Sequence, residues 1–436
     1  MNRVLAPLLF PAPSCARAVT RLAALALLLS VACAAEDGSS SEEEAEPDRF
    51  GVWAVSCAHV PADIQRLRES MAKAIRQSEG NVKDAPGFAW DIMIDAGDLS
   101  AHQYPPGDRD GRELIRQYHA SLTDHRREQI YNIPGNHDAP YYDHDPGSWI
   151  RKWGDPLGEN TAFSGVDPDR RPFPVEGTWE RYRFRAGNIL FLMLADRNDA
   201  PEPVGRGHSR ERSKGGFPAG AVTRETFEWW KRQVLDNQDK IIVTMHHHVL
   251  RDTTTASGRG EGHPVYHGAS GGPEGSSYLY YLIENDDPEN FEYQEDTRVF
   301  EEFLDGFQRE HGRGAIDLWI GGHTHVKSPM DDAGGKTITE TKWGVHFLQV
   351  AALTVYHAGA QPQSRLLTFT EGSDQILARC YLHEPASRKE PVGFHRPAER
   401  TLTLRHAFAA PTPVDDTLPP FPAGVEITDK AYRRGK

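Results

Sequence analysis

Five short segments, in order along the chain, each close an apolar run in side chains able to bind a metal or move a proton. They are Ser56-Cys57-Ala58-His59, Gly97-Asp98, Gly135-Asn136-His137-Asp138, Met245-His246-His247-His248 and Gly322-His323-Thr324-His325. In an open α/β sheet, ligands bind beyond the carboxyl ends of the strands. Five such strand ends carrying donors require a fold that brings them all to one edge. The chain is therefore expected to be an α/β protein whose site is assembled from residues far apart in sequence, with room for two metal ions.

The pattern between the segments agrees. Short apolar runs at Val52 to Ser56, Ile92 to Ile94, Ile130 to Ile133, Asn188 to Ala195, Ile241 to Met245 and Ile316 to Ile320 read as strands. Helical spacing lies between them. One stripe joins Ile64, Leu67, Met71 and Ile75, a second Leu114, Tyr118 and Leu122, a third Phe227, Trp230 and Val234, and a fourth Val299, Phe300, Phe303 and Phe307. Beyond His325 only strand patterns remain, over Val345 to Val355, Arg365 to Thr370 and Ile376 to Leu382. Two long segments rich in Gly, Pro, Asp and aromatics, 139–175 and 251–290, read as irregular insertions that wall a pocket. Arg251, His263 and His267 lie in the second and could meet a phosphate, or simply be solvated loop residues.

Taken singly, several segments have plainer explanations. Gly-Asp after a strand is usually a turn, and so is Asn-His-Asp after Pro-Gly. A run of three histidines can be an adventitious cluster. His323 and His325 are a stronger pair, because alternate residues project alike from an extended strand end. Five in order, each at a strand end, leave little room for coincidence. Imidazoles, a carboxylate and an amide oxygen together suit divalent ions of intermediate softness.

With these residues in place, the chain resembles the calcineurin-like metallophosphoesterases, whose pattern is Asp-x-His, Gly-Asp, Gly-Asn-His-Asp/Glu, His and Gly-His-x-His. The resemblance spans roughly residues 50–382. It implies an αββα fold, two β-sheets packed as a sandwich and flanked by helices, with the metal centre at the carboxyl ends of the strands. It further implies that Asp98 bridges two ions, zinc, iron or manganese. One ion would take His59, His325 and the residue at Cys57; the other would take Asn136, His246 and His323. His246 is preferred as the first side chain past the strand, with His247 the alternative. Ions about 3.5–4 Å apart would activate water for in-line displacement at a phosphoester. His137 would serve the leaving oxygen as acid, with Asp138 holding its imidazole.

Cys57 stands where the family has aspartate. It could ligate as a thiolate, favouring zinc or iron; it could be an inert packed thiol; or it could pair with Cys380. Two divalent ions with Asp98, a thiolate and one hydroxide would leave a net charge of about +1, enough to attract a phosphoester anion. The net charge of −14 argues against a nucleic-acid polymer as partner. A small phosphoester, mono- or diester, is the expected substrate. A non-catalytic exported lipoprotein of the same fold, binding metal or phosphate, is the alternative.

Residues 1–33 carry Arg3, Arg17 and Arg21 before the apolar run Leu22 to Val31, which reads as an export signal. Cleavage after Ala34 or Ala35 would release a soluble periplasmic or extracellular protein. Cleavage before Cys33 would leave a lipid-anchored one. An acidic, Ser-rich linker follows to residue 49, the catalytic domain is expected over 50–385, and a Pro-rich tail over 386–436 reads as a surface wrap.

Overall fold

A computed structural model of the protein describes residues 48–428 apart from 102–105, 139–148, 202, 206–218, 260, 262–276, 327–333, 355–360, 384–390 and 416. The export signal, Cys33, most of the linker, His263 and His267 lie outside the described residues. Those from 48 onward belong to one compact unit.

Two sheets face each other. The first contains β1 (Arg49–Val55), β2 (Ile92–Asp95), β3 (Ile130–Asn132), β14 (Gln363–Thr370), β15 (Gln375–Leu382), β16 (Gly393–Phe394) and β17 (Arg400–Thr403). Its order is β16-β15-β14-β1-β2-β3, with β17 also on β15. The second contains β4 (Glu176–Gly177), β5 (Arg181–Ala186), β6 (Ile189–Leu194), β8 (Ile241–His246), β11 (Leu318–Gly321), β12 (Thr339–Lys342) and β13 (Val345–Gln349), in the order β12-β13-β11-β8-β6-β5-β4. A small third sheet joins β7 (Gly220–Thr223), β9 (Leu279–Asn285) and β10 (Glu292–Gln294). β1, β2 and β3 run parallel, as do β6, β8, β11 and β13. Their carboxyl ends therefore lie on one side of each sheet.

Strand parity explains the layers. Val52 and Ala54, Phe191 and Met193, and Val243 and Met245 point between the sheets into a shared core. Trp53 and Val55 point outward, under α2 (Ser70–Ser78) and α3 (Asp108–His119). Leu190, Leu192 and Ile242 point outward under α5 (Arg224–Asp236) and α6 (Val299–His311). Both α5 and α6 carry end signals. Thr223 accepts a hydrogen bond from the Thr226 amide at the start of α5, and Gly312 takes a left-handed conformation after α6. A short α4 (Thr161–Ser164) lies in the first insertion. The architecture is the expected α/β sandwich flanked by helices.

Three local expectations change. The stripe from Ile64 to Ile75 is two helices, α1 (Val60–Arg66) and α2, because Leu67 turns left-handed and is 56% exposed. Asp63 holds the start of α2 instead, accepting from the Ser70 amide at 2.5 Å and from its hydroxyl at 2.8 Å. The second insertion contributes β9 to the third sheet. The tail is more than a wrap: β16 and β17 extend the first sheet, and Leu402, Leu404 and Phe408 enter the core between the sheets. Alternation in β17 is only four residues long, too short to register against the surrounding Pro and charge.

Candidate metal centre

The five segments meet at the carboxyl edge of the sandwich. Backbone hydrogen bonds stitch their loops together: the Cys57 amide donates to the Gly97 carbonyl at 2.8 Å, and the His59 amide to the Asp98 carbonyl at 3.0 Å. Across the sandwich, the Gly322 amide donates to the His247 carbonyl at 2.8 Å. The Asp138 carboxylate accepts from the amides of Gly135 (2.9 Å), Leu99 (3.2 Å) and Ser100 (2.6 Å). Asp138 thus braces the β2 and β3 loops.

The glycines of Gly97-Asp98 and Gly135-Asn136 have a steric cause. A Cβ on Gly97 would lie 2.2 Å from the Gly135 nitrogen, and one on Gly135 would lie 2.5 Å from Asp98 N and Oδ1. Cys57, His59, Asp98 and His323 all adopt positive φ, at 52, 46, 58 and 62°. Each costs of order 1–3 kcal/mol for a residue with a side chain, and such strain collects where a site needs side chains aimed.

Asp98 sits at the middle. Its Oδ1 accepts from the His137 amide at 2.8 Å, and its Oδ2 lies 3.2 Å from His247 Nε2, 3.9 Å from His59 Nε2 and 4.0 Å from Cys57 Sγ. His59 Nδ1 is 2.8 Å from the Ser100 carbonyl, and His247 Nδ1 is 2.6 Å from the Ala96 carbonyl. A carbonyl only accepts, so both rings carry a proton on Nδ1 and turn Nε2 into the site, where an ion can take the place of any second proton. Asn136 Oδ1 lies 2.9 Å from His323 Nδ1.

The donor spacing fits metal ions. Two nitrogens on one tetrahedral ion, each about 2.0–2.1 Å from it, stand about 3.3 Å apart. His59 Nε2 and His325 Nε2 are 3.2 Å apart, as are His247 Nε2 and His323 Nδ1. Cys57 Sγ is within 4.8 Å of donor atoms on His59 and His325, and also of those on Asp98 and His247. His59, Asp98 and His137 form a further such group.

Electrostatics point the same way. Burial alone would raise Asp98, but His247, His137 and His59 hold it well below the usual carboxylate range. Burial opposes charge on His247 too, yet Asp98 and the bond to Ala96 push its imidazolium up to about 9. Burial and then Asp98 push the Cys57 thiol well above its ordinary value. Burial and Asp98 also push Asp138 up to about 7. The centre therefore demands positive charge beside Asp98, which a proton on His247 meets when no ion is bound.

The structure brings together Cys57, His59, Asp98, Asn136, His137, Asp138, His323 and His325. It corrects His246. Even-numbered residues of β8 face the helices, where Thr244 accepts from the Trp230 indole at 2.9 Å, and odd ones face the other sheet. His246 shares the outward parity, its Nδ1 lies 3.0 Å from the His248 carbonyl, and burial lowers its pKa to about 4. His247, on the inward parity, is the one beside Asp98. Cys57 and Cys380 are both free and buried, so the disulfide does not form. Arg251 is engaged by Asp296 at 2.7 Å.

Two residues of the site were given no role by the sequence: His248, seen only as part of the histidine run, and Asp196. His248 joins His247 and His323 in a donor group, and Asp196 Oδ2 lies 2.8 Å from His248 Nδ1. Asp196 also follows a strand, two residues past the end of β6, so a carboxylate at a sixth strand end was the available signal. A family model for calcineurin-like phosphoesterases matches residues 50–327. A comparison with curated proteins found no match.

Proposed function

The chain belongs to the calcineurin-like phosphoesterase family, and we propose that it is a dinuclear metal-dependent hydrolase of small phosphoesters. The observation that carries this is the place of Asp98, with its carboxylate between one donor group at Cys57, His59 and His325 and another at His247 and His323. Bound there, two divalent ions would supply a water of lowered pKa and positive charge for the phosphoester.

The chain's own residues supply the remainder. Asp98 would link the two positions, and its Oδ1, fixed by the His137 amide, keeps that link rigid. Asn136, held against His323, would complete the second group. The His137 ring stands edge-on to His59 at 5.1 Å between centroids, at the rim of the donors. There it can hold a proton for the departing ester oxygen, which typically contributes about 10²–10⁴ in rate. Asp138 holds the β2 and β3 loops in register so that Asp98 and His137 keep their places. Export, with or without a lipid at Cys33, is part of the same proposal and rests on the N-terminal sequence alone.

The test is metal content and turnover of the full-length protein with zinc, iron or manganese, on panels of phosphomonoesters and phosphodiesters. Two ions per chain are expected, with turnover that falls by about 10²-fold or more in His137→Gln while both ions are kept. No hydrolysis of any ester by the fully loaded protein would overturn the reading in favour of a non-catalytic binding protein.

A further inference from the structure

We propose that Cys57 is a thiolate ligand that makes the position it shares with His59 and His325 selective for a thiophilic ion, zinc or ferrous iron. The inference rests on the metal-dependent function above and goes beyond it, because the family pattern has an oxygen donor at this residue.

The chain contains its own comparison. Cys380 is buried too, packed with Leu382 and Ala398 and with the Arg365 guanidinium 2.6 Å from its sulfur, but it belongs to no group of potential metal donors among the described residues. Cys57 is equally buried but belongs to no apolar cluster among the described residues. Its sulfur stands among potential metal donors instead. Ser56 Oγ is 3.1 Å away and Asp98 Oδ2 4.0 Å away, and donor nitrogens of His59, His325 and His247 stand within 4.8 Å. For a sulfur and a nitrogen sharing a tetrahedral zinc, the separation is about 3.5 Å, from bonds of about 2.3 and 2.0–2.1 Å. Adjustments of no more than about 1.3 Å bring this set to that spacing.

Burial and Asp98 favour the neutral thiol while no ion is bound, and two neighbours are placed to support the sulfur once an ion displaces its proton. The Ser56 hydroxyl and the His323 amide both lie where they can donate to Sγ, and donors of this kind orient and tune a metal-bound thiolate. The Ser56 hydroxyl is packed against Gly322, where a Cβ would come within 1.9 Å of its oxygen. The glycine of the Gly-His-x-His segment thus makes room for the group that supports the sulfur. Finally, Cys57 adopts a positive φ of 52°, as do its neighbours in the site His59, Asp98 and His323.

Ligation exchanges the thiol proton for the ion and releases that proton to solvent. One negative charge is kept at the position, so the charge balance of the centre matches that of an aspartate. What changes is softness: thiolate prefers zinc and iron, whereas carboxylate suits magnesium and manganese.

The experiment strips the full-length protein of metal and reloads it with cobalt(II). The parent should show a sulfur-to-cobalt charge-transfer band in the near ultraviolet, retained in Cys380→Ser and lost in Cys57→Ser and Cys57→Asp at equal cobalt content. In competition, preference for zinc over manganese should fall in Cys57→Asp by about tenfold or more. Cobalt bound to the parent without the band, or a band that survives Cys57→Ser, overturns the inference. The parent measurement decides even if a variant fails to fold. Cobalt uptake and ester hydrolysis without the band would remove this inference alone; the band without hydrolysis of any ester would remove the hydrolase reading alone.

Discussion

Gly135→Ala adds one methyl group at the most crowded backbone crossing in the centre. The new Cβ would lie 2.5 Å from Asp98 N and Oδ1 and 2.8 Å from His247 Cε1. Ordinary carbon contacts begin at about 3.5 Å, so Asp98 or the β3 loop must retreat by about 1 Å. The Asp98 nitrogen is backbone, and its loop is pinned by the Asp138 carboxylate and by the bond from the His59 amide, so nothing flexible can absorb the shift. Overpacking of this size costs about 1–3 kcal/mol in stability. A displacement of about 1 Å at a reacting centre costs about 10²-fold in rate. The expected result is a modest fall in Tm with a large fall in turnover and in metal content. Gly306→Ala is the control. Gly306 lies within α6 with no neighbour within 4 Å of a new Cβ, so alanine should stabilise by about 0.5–1 kcal/mol and leave turnover alone. Calorimetry, metal counting and ester turnover on parent and both variants make the comparison. A folded Gly135→Ala protein with parental metal content and turnover would refute the packing of these loops.

Three further perturbations test separate elements. His247→Ala should lose one ion per chain while His246→Ala keeps both, measured by metal counting on the purified proteins; the opposite pattern would restore His246 as ligand. His383 is buried between Ser364 and Gln77, with ring nitrogens 2.8 Å from each, and burial lowers its pKa to about 3. The unfolded chain takes up that proton near pH 6.5 and the folded one does not. Stability is therefore complete above about pH 6.5 and declines as pH falls toward 3, by about 2 kcal/mol at pH 5. Urea unfolding of parent and His383→Gln at pH 7 and pH 5 should show a smaller loss in the variant, and equal losses would contradict the burial argument. Phe408→Ala should destabilise by about 3–5 kcal/mol, because the ring is 1% exposed and packs against Phe369 and Phe50 at centroid distances of 5.4 and 6.1 Å. Little change in calorimetry would mean that the tail does not complete the core.

Much of the fold was legible because parallel strands buried on both faces read as unbroken apolar runs. Ile189–Leu194 and Ile241–His246 are of that kind, and their boundaries fall close to expectation. What escaped were elements whose partners are distant. β17 is four residues with alternating exposure and no turn signal of its own, and it becomes a strand only because β15 offers an edge. β5 reads as charge, Arg181, Arg183 and Arg185 alternating with buried Tyr182, Phe184 and Ala186, and the three arginines obscured a strand that pairs along the whole of β6.

The choice between His246 and His247 turns on the same alternation. Distance along the chain favours His246, the last residue of its strand, and that criterion is indifferent to which face a side chain occupies. The proposed metal position lies between two sheets, so only side chains on the inward faces can reach it without a turn. Ile241, Val243 and Met245 already mark the inward parity of β8 in the bare sequence, and continuing it selects His247 with no structure needed. Cys57, Asp98 and His323 follow another logic: each leaves its strand through a left-handed residue, which re-aims the side chain regardless of parity. Apolar alternation can therefore assign a ligand that extends a strand, but a ligand on a strained turn is found only by its motif. The centre uses both kinds, which is why His247 was recoverable from periodicity while the geometry of Cys57 was not.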